Sequence, residues 1–214
     1  MSKLCVNGFM ISVDGYGAGL NQSLEKPFGE IDAGLTKAFL ATKTFQTMFG
    51  KTGGSTGVDD QFASVGFDNI GASIMGRNMF GSQRGAWPDE SWKGWWGPNP
   101  PYHTPVFVMT HYPRPRLVME GGTVFEFVSG SLAEVVAKAK IAADGKDVRL
   151  SGGVQTVRSG LLAGLVDKLH IAISSVVLGK GENLLAGVDL AKLGYRCIET
   201  KAGEGALHLV YQKH

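Results

Sequence analysis

The 214-residue chain has only two cysteines, Cys5 and Cys197, too few for a disulfide framework. Each sits in a run that reads as a strand, so both are expected to be buried thiols in a reducing compartment. Charge of one sign is equally scarce: 21 Lys and Arg stand against 19 Asp and Glu, a net charge of +2. Such a balance offers no field for DNA, RNA or a membrane surface. No apolar run reaches the roughly 18 residues of a membrane-spanning helix. The opening "MSKLCVNGFMISVDGYG" lacks the apolar core and cleavage site of a signal peptide, and a cytoplasmic location is expected. Five histidines are scattered without a Cys or His neighbour at ligand spacing, so no metal centre is expected. His170, alone in an apolar run, reads as a satisfied core residue.

Two glycine-rich stretches tempt a nucleotide reading and fail it. "GKTGGSTG" at 50–57 has Phe45 where a phosphate loop needs its first glycine, and it follows a helix instead of a strand. "GYGAG" at 15–19 is followed by "LNQS" and not by a helix, so it reads as a flexible loop.

What the chain does have is an alternation of strands and helices. Strands are predicted near 3–12, 70–75, 105–111, 123–128, 147–151, 169–178, 194–200 and 206–213. "HIAISSVVL" is almost wholly apolar, as a strand covered on both faces would be. A helix is predicted over 31–49, with Ile31, Leu35, Phe39, Phe45 and Phe49 near one stripe. Ser131 and Glu134 have capping-box spacing for a second helix that ends before Gly145. Residues 154–165 form a third. The result is one mixed α/β domain over 1–214, closing in an antiparallel C-terminal hairpin. Residues 81–105, rich in Gly, Pro and Trp, predict an ordered surface loop.

Three strand ends carry anion-friendly groups. "SGGVQTV" places Gly152 and Gly153 between a strand and a helix, where free N–H groups could meet an anion. Tight strand-to-helix packing explains those glycines equally well. "IMGRNMF" places Arg77 just past a strand, suited to phosphate or simply solvated. "VFVMTHYPRPR" puts Thr110, His111, Arg114 and Arg116 past a third. Together they favour one phosphate-bearing ligand.

With "SVDG" (12–15), "VFVMTH" (106–111) and the long segment 151–185, these motifs resemble the dihydrofolate reductase-like superfamily. The nearest likeness is the C-terminal reductase domain of bacterial riboflavin-biosynthesis deaminase/reductases. That resemblance implies a three-layer α/β/α fold around a mostly parallel eight-stranded sheet, NADPH as cofactor and a homodimer. It assigns Gly76, Arg77 and Asn78 to the phosphate-rich part of NADPH. Thr110 and His111, helped by Arg114 or Arg116, fall at the adenosine ribose and its 2′-phosphate. Gly152, Gly153, Val154 and Gln155 fall at the pyrophosphate turn, where Ser151 either adds a hydroxyl or fills space. The substrate it implies is a small pteridine, folate or riboflavin precursor.

Asp60, sixteen residues before Gly76, resembles the proton-step carboxylate of folate reductases. As a plainer alternative, Asp59 and Asp60 would stabilise a helix N-terminus. Asp14 lies on the loop that covers nicotinamide in this superfamily, where it contacts substrate or holds its own turn. No deaminase zinc motif is present. The stretch 20–60 and the tryptophan loop exceed the compact reductases, so the substrate pocket is expected to differ. A nucleotide- or flavin-binding module without turnover is the rival reading.

Overall fold

The computed structural model describes residues 2–31 and 33–214. In chain order the elements are β1 (Leu4–Ile11), β2 (Tyr16–Ala18), a 3₁₀ turn (Ala33–Thr36), α1 (Lys37–Leu40), α2 (Lys43–Met48) and α3 (Val58–Val65). There follow β3 (Ile70–Gly76), α4 (Arg77–Phe80), β4 (Pro105–Met109), β5 (Leu117–Val118), β6 (Val124–Val128) and α5 (Leu132–Ala142). The chain closes with β7 (Asp147–Gly152), α6 (Val154–Leu162), β8 (Lys168–Ser174), β9 (Glu182–Asn183), β10 (Tyr195–Ala202) and β11 (Ala206–Lys213).

Nine strands form one sheet in the order β10-β11-β8-β1-β7-β3-β4-β6-β5. From β8 to β6 every neighbour is parallel, and the β10–β11 hairpin and β5 add antiparallel edges. The expected eight strands are all present. The ninth, β5, is a two-residue edge that no sequence periodicity marks.

Strand alternation sorts the core into faces. Leu4, Val6, Val148, Leu150, Leu169 and Ile171 join α5 and α6 in one buried cluster. The opposite face is covered in two parts. Phe39 and Ala63, from α1 and α3, meet Ala172 and Ala206 over one half. Over the other half the four-residue α4 brings Phe80, and the tryptophan loop adds to it. There Trp87, Trp92 and Trp96 pack against Phe80, Val106, Val108, Phe125 and Phe127. The tryptophan loop is thus part of the second layer and not a surface ornament.

The helix expected over 31–49 is broken into the 3₁₀ turn, α1 and α2; Asp32, within it, lies outside the described residues. Thr42 is the reason. Its buried hydroxyl donates to the Phe39 carbonyl at 2.7 Å and accepts from Phe45 N–H at 3.3 Å, so it caps α2 instead of continuing α1. The Ser131–Glu134 capping box forms as expected. Cys5 is buried, but Cys197 is exposed, because β10 is an edge strand with seven of its eight residues open to solvent. Among the described residues no helix is long and apolar enough to cross a membrane.

Candidate functional site

A cleft of about 750 Å³ opens where β3 and β7 end. It is lined at one end by Gly76, Arg77, Asn78, Ser151, Gly152, Gly153, Val154 and Gln155. These eight expected residues therefore converge, although they come from two separate motifs.

The glycine turn can now be read atom by atom. Gly152 has φ of 140°, a conformation that favours glycine, and Met79 Sδ lies 3.2 Å from where its Cβ would stand. Gly153 is different: its φ is −72°, and a Cβ there would meet no protein atom within 4 Å. Packing does not require that glycine. The space it leaves open belongs to the cleft. The peptide between the two residues is cis. Helix α6 begins at Val154 with no side-chain cap. Thr156 and Val157 N–H groups return to the Gly153 carbonyl, which leaves the Val154 and Gln155 amides as open donors.

Two half-buried side chains beside the turn have buried polar atoms without a partner: Arg77 at Nε and Nη2, and Ser151 at Oγ. Arg77 spends Nη1 on the Gly85 carbonyl, and its guanidinium lies 3.8 Å from the Trp87 ring. Desolvation lowers its pKa. Arg114 stacks on the same tryptophan at 4.6 Å and on Phe127 at 4.3 Å, and gives Nη2 to the Trp92 carbonyl. Trp87 itself donates to the Tyr112 carbonyl, which ties the loop to the end of β4. Thr110, His111 and Arg114 nevertheless stay off the cleft wall. Thr110 is buried and accepts from Tyr112 N–H, while His111 is exposed.

Neither carboxylate expected to serve catalysis reaches the cleft. Asp60 accepts from Thr44 N–H at 2.7 Å and so holds the first turn of α2. Asp14 accepts from the Ser12 hydroxyl at 2.6 Å and from the Leu178 and Gly179 amides. Those bonds, the Ser12 hydroxyl foremost, pull its pKa down to about 2, so at neutral pH it has no proton to give. Asp14 keeps its own turn and ties the "SVDG" loop to "LGKG".

Asp59 is not merely a dipole partner. It is buried, accepts Gly205 N–H at 2.7 Å, and ends a chain of bonds that begins at β1. Gly8 N–H donates to His170 Nδ1 at 3.0 Å, His170 Nε2 lies 2.9 Å from His208 Nδ1, and His208 Nε2 lies 2.8 Å from Asp59 Oδ1. Because the Gly8 amide occupies Nδ1, His170 must donate through Nε2, and His208 then donates to Asp59. Burial first, then His208, pushes the His170 pKa down to about 3. Phe62 stacks on His208 at 4.2 Å. The chain ends on a backbone amide of the cleft floor, so it positions β1 and moves no proton.

Several cleft residues escaped the sequence reading. Asn7, Gly8, Phe9 and Met10 supply the floor from β1. Phe28, Phe39, Phe45 and Phe49 from the 20–60 stretch, with Trp95 and Trp96, supply the walls. Arg149 projects from β7 on the face opposite Val148 and Leu150, and the alternation of that strand is its only signal. Glu182, on β9, is the one carboxylate on the wall among the described residues, and burial raises its pKa.

Fold and cleft together define an α/β domain with a ligand crevice at the carboxyl ends of parallel strands, the place such sheets use for binding. The sequence profile of the RibD C-terminal domain matches residues 4–209, and the chain belongs to that family. A Shewanella sp. PV-4 protein assigned to riboflavin biosynthesis has the same fold in its crystal structure. Its TM-score is 0.57 at 19% identity, covering 100% of this chain and 99% of that one. The uncharacterised protein YyaP of Bacillus subtilis (strain 168) is 31% identical over 86 residues, 40% of this chain and 45% of that relative's length.

Proposed function

We propose that the protein is an NADPH-dependent reductase acting on a small planar heterocycle of the pteridine, folate or riboflavin-precursor kind. One observation carries this reading. At the glycine turn the chain keeps an open space that packing does not need, beside buried donors of Arg77 and Ser151 that lack partners. An anionic, elongated ligand fits that combination, and the family's reductase members give its class.

In this reading the Val154 and Gln155 amides and Ser151 Oγ bind the pyrophosphate. Arg77, with Asn78 beside it, takes the phosphate-rich part, and Arg77 favours NADPH over NADH through charge-assisted bonds. By the family resemblance Thr110, His111 and Arg114 would meet the adenosine ribose and its 2′-phosphate, outside the cleft wall itself. The bound nicotinamide supplies the hydride. The aromatic walls exclude water and stack the substrate, which fixes its approach. Glu182 replaces Asp60 as the group that holds the proton, since its raised pKa keeps it protonated further up the pH scale than an ordinary carboxyl. The homodimer implied by the family resemblance would find an open surface at β10.

Calorimetric titration with NADPH and NADH tests the cofactor, and equal dissociation constants would sink the assignment of Arg77. Following NADPH oxidation with folate, pteridine and ribityl-pyrimidine substrates tests turnover. The rival module reading draws support from Asp14 and Asp60 being tied away from the cleft. Tight NADPH binding without oxidation across that screen would favour it.

A further inference from the structure

The far end of the cleft is unlike the glycine turn. Arg149 and Ser151 leave the same face of β7, two residues apart, while Val148 and Leu150 point into the core behind them. Arg149 thus sits below the turn, at the boundary between the cleft and a second hollow of about 730 Å³. Phe49, Phe67, Trp96 and Tyr102 border both spaces with it.

The guanidinium is poorly accounted for by the protein alone. Nη2 donates to the Asn7 carbonyl at 3.2 Å, and the Phe67 ring lies 4.1 Å from its carbon. Nε is buried with no partner. No carboxylate pairs with Arg149 among the described residues. The ionisable groups in electrostatic reach of it are Tyr102, a phenol that burial drives further towards its neutral form, and His170, an imidazole that burial holds neutral, so neither brings it a negative charge. An arginine cannot escape burial by losing its proton, so a desolvated, unpaired guanidinium is costly. Cost of that kind persists where a ligand removes it.

We infer that Arg149 anchors an anionic oxygen group, a carboxylate or phosphate, carried by an aromatic substrate whose ring stacks between Phe49, Phe67, Trp96 and Tyr102. The guanidinium fork suits two oxygens of one anion, and the flat walls suit a ring attached to it. This names the substrate class for the reductase reading, and takes from that reading only that the cleft holds a substrate.

The test uses benzoate and phenyl phosphate as probes, with benzyl alcohol as the neutral control, and omits the dinucleotide. Binding is followed by calorimetry and by the ¹⁵N resonance of Arg149 Nε. At least one acid should bind ten times more tightly than the alcohol and shift that resonance, and the better acid tells carboxylate from phosphate. Arg149→Met should lose at least tenfold in acid affinity, Arg149→Lys should lose less, and Arg77→Ala should keep it. Acids that bind no better than benzyl alcohol would overturn the inference, as would loss in Arg77→Ala with Arg149→Met unchanged. If Arg149→Met does not fold, the wild-type contrast and the Nε resonance decide alone. Failure of NADPH to bind would count against the reductase reading and leave this result standing.

Discussion

At the glycine turn the cleft presents backbone: amides of Val154 and Gln155 and an open space over Gly153, all within five residues of chain. Around Arg149 it presents side chains gathered from β1, the segment before β3, the tryptophan loop and β7. A backbone site recognises what every dinucleotide shares, so it can stay constant while the ligand's other half varies. A side-chain site can be rebuilt for each substrate. In the proposed reading cofactor class and substrate identity are therefore separable, and a change at one end should leave binding at the other intact.

The largest effect is expected at the carboxylate of the cleft wall. Glu182→Gln should lower the hydride-transfer rate by roughly 10²–10⁴-fold while NADPH affinity stays within about threefold. Because burial raises the Glu182 pKa, the wild-type rate should fall as pH rises through that value. The variant should lack this limb. A variant as fast as wild type at every pH would return the proton to water.

Arg77→Ala sharpens the contrast from the cofactor side. Losing a charge-assisted contact of roughly 1.5–3 kcal/mol should weaken NADPH about tenfold to a hundredfold and NADH less. Probe binding at Arg149 should not change. Parallel calorimetric titrations check both statements.

Beneath both ends lies the Asp59–His208–His170 chain, and its signature is stability against pH. Native His170 takes a proton near 3, whereas the unfolded residue takes one near its ordinary 6.5. Between those values the unfolded chain holds the extra proton. Its contribution is therefore complete above 6.5 and is lost as pH falls towards 3. Thermal melts across that window should show the decline, and His170→Gln, which can still accept from Gly8, should flatten it. Smallest of all is Asp60→Asn. Its amide oxygen can still cap α2, so stability should change by at most about 0.5–1 kcal/mol and turnover not at all.

The same division explains what could be read from the chain before its structure. Eight strands were legible because apolar alternation reports them directly. The glycine turn was legible because it is contiguous, although "SGG" alone could not separate close approach from packing. That needed the empty space at Gly153 against the crowded Gly152. Sixteen residues of spacing do not give Asp60 a direction: it points back to Thr44, and Asp59 points to His208. The aromatic end was invisible for a different reason. Its walls meet only through pairings of distant segments, and although Leu35, Phe39, Phe45 and Phe49 do share one side, their spacing does not say that this side is a cleft wall. Glu182 carried no signal beyond being a carboxylate after "GKG".

In the proposed reading Gly153 is kept for a ligand and not for the fold. Gly153→Val tests this when NADPH affinity and melting temperature are measured on the same preparation. Since a Cβ at Gly153 would meet no protein atom, the variant should melt close to wild type while NADPH binding falls by about a hundredfold or more. A variant that melts far lower yet binds NADPH normally would show that the turn serves packing, and would contradict the account.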